Sequence, residues 1–265
     1  MSAVLRSEVR KITTTRLWWI MLICVFLLAG CYASLPGVVA VLQQRSAAGS
    51  PSPFADPGTI RSIYNGGNTV ARIIAMVIGI TAFGSEYRHQ TLASTYLATP
   101  RRLRLLMGKV GSLLTFGLLY GAASVTAGLL VAIPFVLAND GTFALDRPVT
   151  WRSLALGVLS IALWTMIGLG VGLMIKNMLA AMLVGISFAY LVEPIVSVVF
   201  FLRKWDLALN VMPSGATNAM LGTTSPVLFA GQHPFAWWQG ALVLAGWCLL
   251  PAVVGVVSTV RQDVG

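Results

Sequence analysis

Six apolar runs, each close to or beyond the length needed to cross a lipid bilayer, constrain this chain more than any other feature. They fall at Leu17–Leu42, at Thr69–Gly84 with a start nearer Asn65, and at Leu103–Leu137, Ser153–Ile175, Met178–Leu202 and Phe235–Val260. The hydrocarbon core is about 30 Å thick and a helix rises about 1.5 Å per residue, so about 20 apolar residues suffice. In lipid every backbone polar group must be satisfied internally, which leaves helices and closed barrels, and these runs are too long and continuous for barrel strands. The sequence therefore predicts an all-α integral membrane protein with six transmembrane helices in a single domain. Pro36, Pro134, Pro194 and Pro251 are expected kink positions within the spans.

Composition agrees. Hydrophobic residues make up 57% of the 265 and charged residues only 10%, with a mean hydropathy of +0.83. A soluble domain carries about a quarter charged residues. The surplus of apolar surface needs lipid around it. The formal net charge of +10 does not point to nucleic acid, because the basic residues lie in the gaps between apolar runs and not on a soluble basic patch.

The basic residues instead predict orientation. One side would hold Arg6, Arg10, Lys11 and Arg16, then Arg88, Arg101, Arg102, Arg104 and Lys109, then Lys176 and Arg261. The other would hold Arg45, Arg61, Arg147, Arg152, Arg203 and Lys204. Lys and Arg concentrate in cytoplasmic loops, so both termini are expected in the cytoplasm. Leu28-Ala29-Gly30-Cys31 has the form of a lipoprotein cleavage site, but the apolar run continues past it to Leu42, which favours an uncleaved first span. Cys24, Cys31 and Cys248 lie inside apolar runs and read as small apolar residues within helices. His89 and His233 have no Cys, Asp or Glu at ligand spacing, so no metal site is expected.

No internal repeat or soluble domain interrupts this plan. Leu5, Val9 and Ile12 recur at helical spacing ahead of the first span, with Arg6, Arg10 and Lys11 around the other face. That pattern predicts an amphipathic helix lying in the membrane interface against anionic headgroups. The Gln43–Asn68 segment, with Ser-Pro-Ser-Pro at 50–53 and Gly-Gly at 66–67, reads as an irregular outer loop. The Arg203–Pro234 connection is long, offers a helix start at Pro213-Ser214-Gly215-Ala216, and carries Met220, Leu221, Val227 and Leu228. It is expected to dip back into the outer leaflet.

Two ionisable residues fall within spans, where charge is costly enough to mark function by default. Arg72 reads as near the outer end of the second span and Glu193 as about 15 residues, roughly 22 Å, into the fifth. Both would then sit in the outer third of the bilayer, facing each other or sharing a polar cavity. The competing reading has Arg72 snorkelling to the headgroups and Glu193 capping a kink at Pro194. Trp18, Trp19, Trp151, Trp205, Trp237 and Trp238 stand near span ends and read as interface anchors. Gly168, Gly170 and Gly172 read as close-packing positions of the fourth span.

The stretch with most chemistry is Gly84–Arg102, GSEYRHQTLASTYLATPRR, between the second and third spans. It offers a short amphipathic element, Thr91–Ala98, ended by Pro100. A short helix across the membrane face is a lever through which a partner could move two spans at once. Glu86-Tyr87-Arg88-His89-Gln90-Thr91, then Leu97-Ala98-Thr99-Pro100-Arg101-Arg102 and Lys109, resembles the first cytoplasmic loop of bacterial ABC transporter permeases of the type 2 export class. The opening Arg6-Ser7-Glu8-Val9-Arg10-Lys11 and Arg16-Leu17-Trp18-Trp19 are similar to that family's N-terminal helix. Gln90 departs from the family's usual glycine, and the similarity is sharp only over the first 19 residues and Gly84–Lys109.

The resemblance implies a permease subunit of the bacterial plasma membrane, working as a homodimer or with a related permease. Two copies of a separate cytoplasmic ATPase would hold ATP and Mg, leaving this chain with no cofactor and no enzymatic site of its own. Glu86, Arg88, Thr91, Leu92, Thr95, Tyr96, Leu97, Pro100 and Arg101 would form the coupling segment seated in the ATPase. Glu86 would anchor it to the N-terminal helix through Arg6, Arg10 or Lys11. The implied substrates are drugs, lipids, peptides or antibiotics. The sequence itself carries no Gly-x-x-x-x-Gly-Lys-Ser/Thr loop, since Gly108-Lys109 runs on into Val110. Two other classes compete: an intramembrane enzyme, for which Glu193 lacks a His or Asp companion, and a membrane scaffold or receptor without transport.

Overall fold

The computed structural model describes residues 2–46, 52–88, 102–175, 177–223 and 235–262. Every regular element among them is helical. Six helices are long and apolar enough to cross a membrane: Leu17–Ser46, Pro57–Gly84, Met107–Ala138, Pro148–Met174, Met178–Leu202 and Trp237–Gly255. The second and fourth are the central pair, 61% buried over their most apolar stretch, against 22% for the first, fifth and sixth. The fourth packs along the second, third and sixth, and the first packs along the third.

A helix over Ser2–Thr13 precedes the first span. It ends at three consecutive threonines, Thr13, Thr14 and Thr15, whose hydroxyls donate to the carbonyls of Arg10, Lys11 and Ile12. Such local bonds compete with the helical ladder and stop it. Val9 and Ile12 pack with Trp18, Met21 and Leu22 against the core formed by Val25, Phe116 and Tyr120. The Tyr120 hydroxyl donates to the Trp18 carbonyl at 3.1 Å.

The second span departs from expectation. It begins at Pro57, and the segment read as an irregular loop holds a 3-10 turn, Pro53–Ala55, and a helix, Pro57–Gly66. The reason is capping. Asp56 accepts from the Thr59 N–H at 3.0 Å and Pro57 occupies the first turn, where its missing N–H costs nothing. Ser52 and Pro53 do the same for the turn before it. Phe54, Ile60, Ile63 and Tyr64 are consequently buried and form a core with Ala40, Val125 and Val136. At Gly67 a Cβ would stand 2.7 Å from the Ala29 carbonyl oxygen, so glycine lets the second span cross the first at backbone contact. The helix resumes at Asn68 and continues to Arg88, past the predicted end at Gly84.

Glycines also seat the second span on the fourth. A Cβ on Gly168 would overlap the Met76 carbonyl oxygen, one on Gly172 would lie 2.9 Å from the Ile80 oxygen, and one on Gly79 would lie 2.7 Å from the Leu169 nitrogen. Gly170 turns the other way, toward Pro251 and Ala252 of the sixth span.

The fifth span is α-helical over Met178–Ser187, widens to a π turn over Phe188–Val192, and resumes as α-helix over Glu193–Leu202. Pro194 supplies the cause: it has no N–H to continue the ladder, and the register slips so that the Glu193 N–H bonds the Phe188 carbonyl. Beyond Leu202 the chain forms two short helices, Asp206–Val211 and Pro213–Leu221, the second ending on Gly222 at φ 64°. Pro213–Leu221 is buried against the sixth and fourth spans.

Candidate intramembrane polar site

The central helix pair carries matching polar stripes. Arg61, Asn65, Asn68 and Arg72 recur at i, i+4, i+7 and i+11 along the second span; Ser153, Gly157, Ser160 and Trp164 do so along the fourth. These spacings place each set on one helix face. The faces meet rung by rung. The Asn65 side-chain amide donates to the Ser153 hydroxyl at 3.0 Å, and that of Asn68 to the Gly157 carbonyl at 3.1 Å and the Ser160 hydroxyl at 2.9 Å. At the next rung the Arg72 guanidinium lies over the Trp164 ring, 5.2 Å from its centroid.

The Pro213–Leu221 helix closes the third side. Its Leu221 carbonyl accepts from Ser153 Oγ at 2.6 Å, and Thr217 Oγ1 accepts from the indole N–H of Trp164 at 3.0 Å. At its start, Ser214 donates both its backbone N–H and its hydroxyl to Glu193 Oε1, the latter at 2.6 Å. The Met212 N-cap offers no side-chain oxygen, so Glu193 performs the cap from another helix. A carboxylate is favoured there by the partial positive charge of a helix start. Glu193 lies nine residues, about 13 Å, before the end of the fifth span, so the connection does turn back along that span as its apolar residues suggested.

Two charged groups meet here with valences unused. Glu193 is 1% exposed, and its Oε2 has no hydrogen-bond partner among the described residues. Arg72 has none for its buried Nε. Arg72 and Glu193 are linked through Trp164, Thr217 and the start of the Pro213–Leu221 helix.

The depth of Arg72 changes with the start of its span. Counted from Pro57 it lies 15 residues, about 22 Å, along a 28-residue helix, near the middle and not at the end. Its guanidinium lies against Trp164 of the fourth span. Trp164, Asn65, Asn68, Ser214 and Thr217 were not among the expected site residues. Trp164 had a signal, since a tryptophan at mid-span is not an interface anchor.

The helix of the second span carries Glu86 and Arg88 on its final turn. The side chains of these two, and the positions Thr91, Leu92, Thr95, Tyr96, Leu97, Pro100 and Arg101, lie outside the described residues, as does the expected Glu86 anchor. Lys109 of the same motif is described: it is 3% exposed, donates to the Ala82 carbonyl at 3.1 Å and stands 5.6 Å from the Phe83 ring centroid. It thereby ties the third span to the last turns of the second.

No family model matches this chain, and no curated protein is found to be similar to it.

Proposed function

We propose that this chain is the membrane-spanning subunit of an ATP-driven ABC exporter of the type 2 class, coupled to a separate cytoplasmic ATPase. One observation carries the reading. The pattern Glu86-Tyr87-Arg88-His89-Gln90-Thr91, Leu97-Ala98-Thr99-Pro100-Arg101-Arg102 and Lys109 sits between the second and third of six spans, on the side richer in Lys and Arg. The mechanics around it fit a lever. The second span is helical up to Arg88, and Lys109 bonds the third span to Ala82, so force applied to residues 89–101 would move both spans together. In this reading the helix Ser2–Thr13 lies in the cytoplasmic interface and both termini are cytoplasmic. Two permease copies, identical or related, flank the pathway in a bacterial plasma membrane. ATP and Mg belong to the ATPase, because this sequence has no phosphate loop. Arg72 and Glu193 supply polar groups to the pathway.

The test is co-purification of the tagged full chain with a P-loop ATPase from membranes of its source. Replacing Leu92, Tyr96 and Leu97 together by alanine should abolish the association. An ATPase that binds the triple variant as well as the wild type, or labelling that puts residues 89–101 on the side away from ATP, would refute the proposal.

A further inference from the structure

We propose that Arg72 and Glu193 frame a binding site for the zwitterionic headgroup of an amphiphile, an oxyanion with a primary ammonium a few bonds away. This deepens the exporter reading by naming a substrate class, and it rests on that reading only for the claim that the bound molecule is transported.

The argument starts from what the two groups lack. A guanidinium has five N–H donors, and the buried Nε of Arg72 has no acceptor among the described residues, while the guanidinium lies over the face of Trp164. Glu193 spends one oxygen on Ser214 and keeps the other unpartnered at 1% exposure. Other polar groups around them are tied: Trp164 to Thr217, and Thr217 to the Pro213 carbonyl. Trp164, Thr217 and Ser214 link the two charges into one neighbourhood, where a molecule offering an acceptor to Arg72 and a donor to Glu193 would satisfy both.

Charge then selects the class. A simple anion would satisfy Arg72 but face the Glu193 carboxylate, and a simple cation would satisfy Glu193 but face Arg72. A zwitterion satisfies both and brings no net charge into a medium where net charge is expensive. The approach suits an apolar tail. Around Glu193 the fifth span is open at Tyr190, Leu191 and Ile195, which are 46%, 60% and 62% exposed.

The full chain, purified in detergent without any ATPase, would be titrated by native mass spectrometry with dihexanoyl phosphatidylethanolamine, its choline and glycerol counterparts, and 2-aminododecanoate. The choline headgroup has no N–H for Glu193, and the glycerol headgroup has no cation. Losing one charge-assisted hydrogen bond costs roughly tenfold in affinity, so the ethanolamine lipid, the amino acid or both should bind about tenfold tighter than the other two. R72M and E193Q should each erase that preference. E193Q keeps an oxygen for Ser214, and R72Q serves if R72M does not fold. Preference for the ethanolamine lipid alone assigns a bilayer source, preference for the amino acid alone a free amphiphile, and either supports the site. Equal binding of all four probes, or a preference that survives both substitutions, overturns it. Failure of the ATPase association above would leave this result standing, and failure here would leave that association untouched.

Discussion

Gly168 offers a quantitative check on the central helix pair. An alanine Cβ there would overlap the Met76 carbonyl oxygen and stand 2.7 Å from its carbon and 2.9 Å from its Cα. These are backbone atoms of the second span, so no rotamer change can make room. Ordinary contact needs roughly 3.4 Å or more, and the two helices would have to part by about 0.7 Å at this point, more at the oxygen. The same interface carries the Asn65–Ser153 and Asn68–Ser160 hydrogen bonds at 3.0 and 2.9 Å, and opening it weakens both. Overpacking costs about 1–3 kcal/mol and alanine returns about 1 kcal/mol of helix propensity, so with the weakened bonds G168A should lose roughly 2–3 kcal/mol. Gly246, on the sixth span, is the control: a Cβ there meets nothing within 4 Å. G246A should be neutral or stabilising by up to about 1 kcal/mol. Melting of the detergent-purified chain, followed by reaction of its free thiols, one of them on the partly buried Cys248, should rank G246A at or above wild type and G168A well below. If G168A melts with G246A, the close approach of the second and fourth spans is wrong.

The remaining predictions follow from the polar contacts. Replacing Glu193 by leucine removes the remote cap of the Pro213–Leu221 helix and should cost about 3 kcal/mol, whereas glutamine keeps the acceptor and should cost about 1 kcal/mol; equal melting points for the two would remove the capping role. Asn65→Ala and Ser153→Ala should each cost about 1–2 kcal/mol, and the double variant less than their sum, because both break one chain of bonds ending at the Leu221 carbonyl. Strict additivity in the melting data would show that the chain does not act as a unit.

How far the sequence discloses this molecule depends on which physical demand each part answers. Lipid asks for apolar length, a property of composition, so six spans are legible without any tertiary knowledge. The start of the second span was not. Ser52-Pro53 and Asp56-Pro57 carry turn residues, and the same two residue types are the usual opening of a helix when an apolar face follows. Ile60, Ile63 and Tyr64 supply that face, within a stretch whose proline and glycine content reads as loop. A start near Asn65 puts Arg72 toward the span's end, whereas the helix from Pro57 puts it near the middle and joins Arg61, Asn65, Asn68 and Arg72 in one stripe. The stripe was there to be read at helical spacing. Ser214 was not, because its role exists only once the chain has turned back along the fifth span to reach Glu193.

The polar residues within the spans also differ in kind, and the difference bears on function. Asn68, Ser153, Ser160 and Thr217 are neutral and hydrogen-bonded across helices, at distances of 2.6 to 3.3 Å. Bonds of this type hold a bundle together and set its register. An unpartnered neutral atom such as Asn65 Oδ1 costs about 1–3 kcal/mol, which a bundle of this size can absorb. A charged group at mid-span with an Nε that finds no acceptor costs more than that, and a fold under selection for stability alone would replace Arg72 by a leucine or methionine. R72M should therefore melt at or above the wild-type temperature while losing whatever Arg72 is kept for. If R72M instead melts several degrees lower, Arg72 is a structural element held by its contact with Trp164, and the pathway role assigned to it falls.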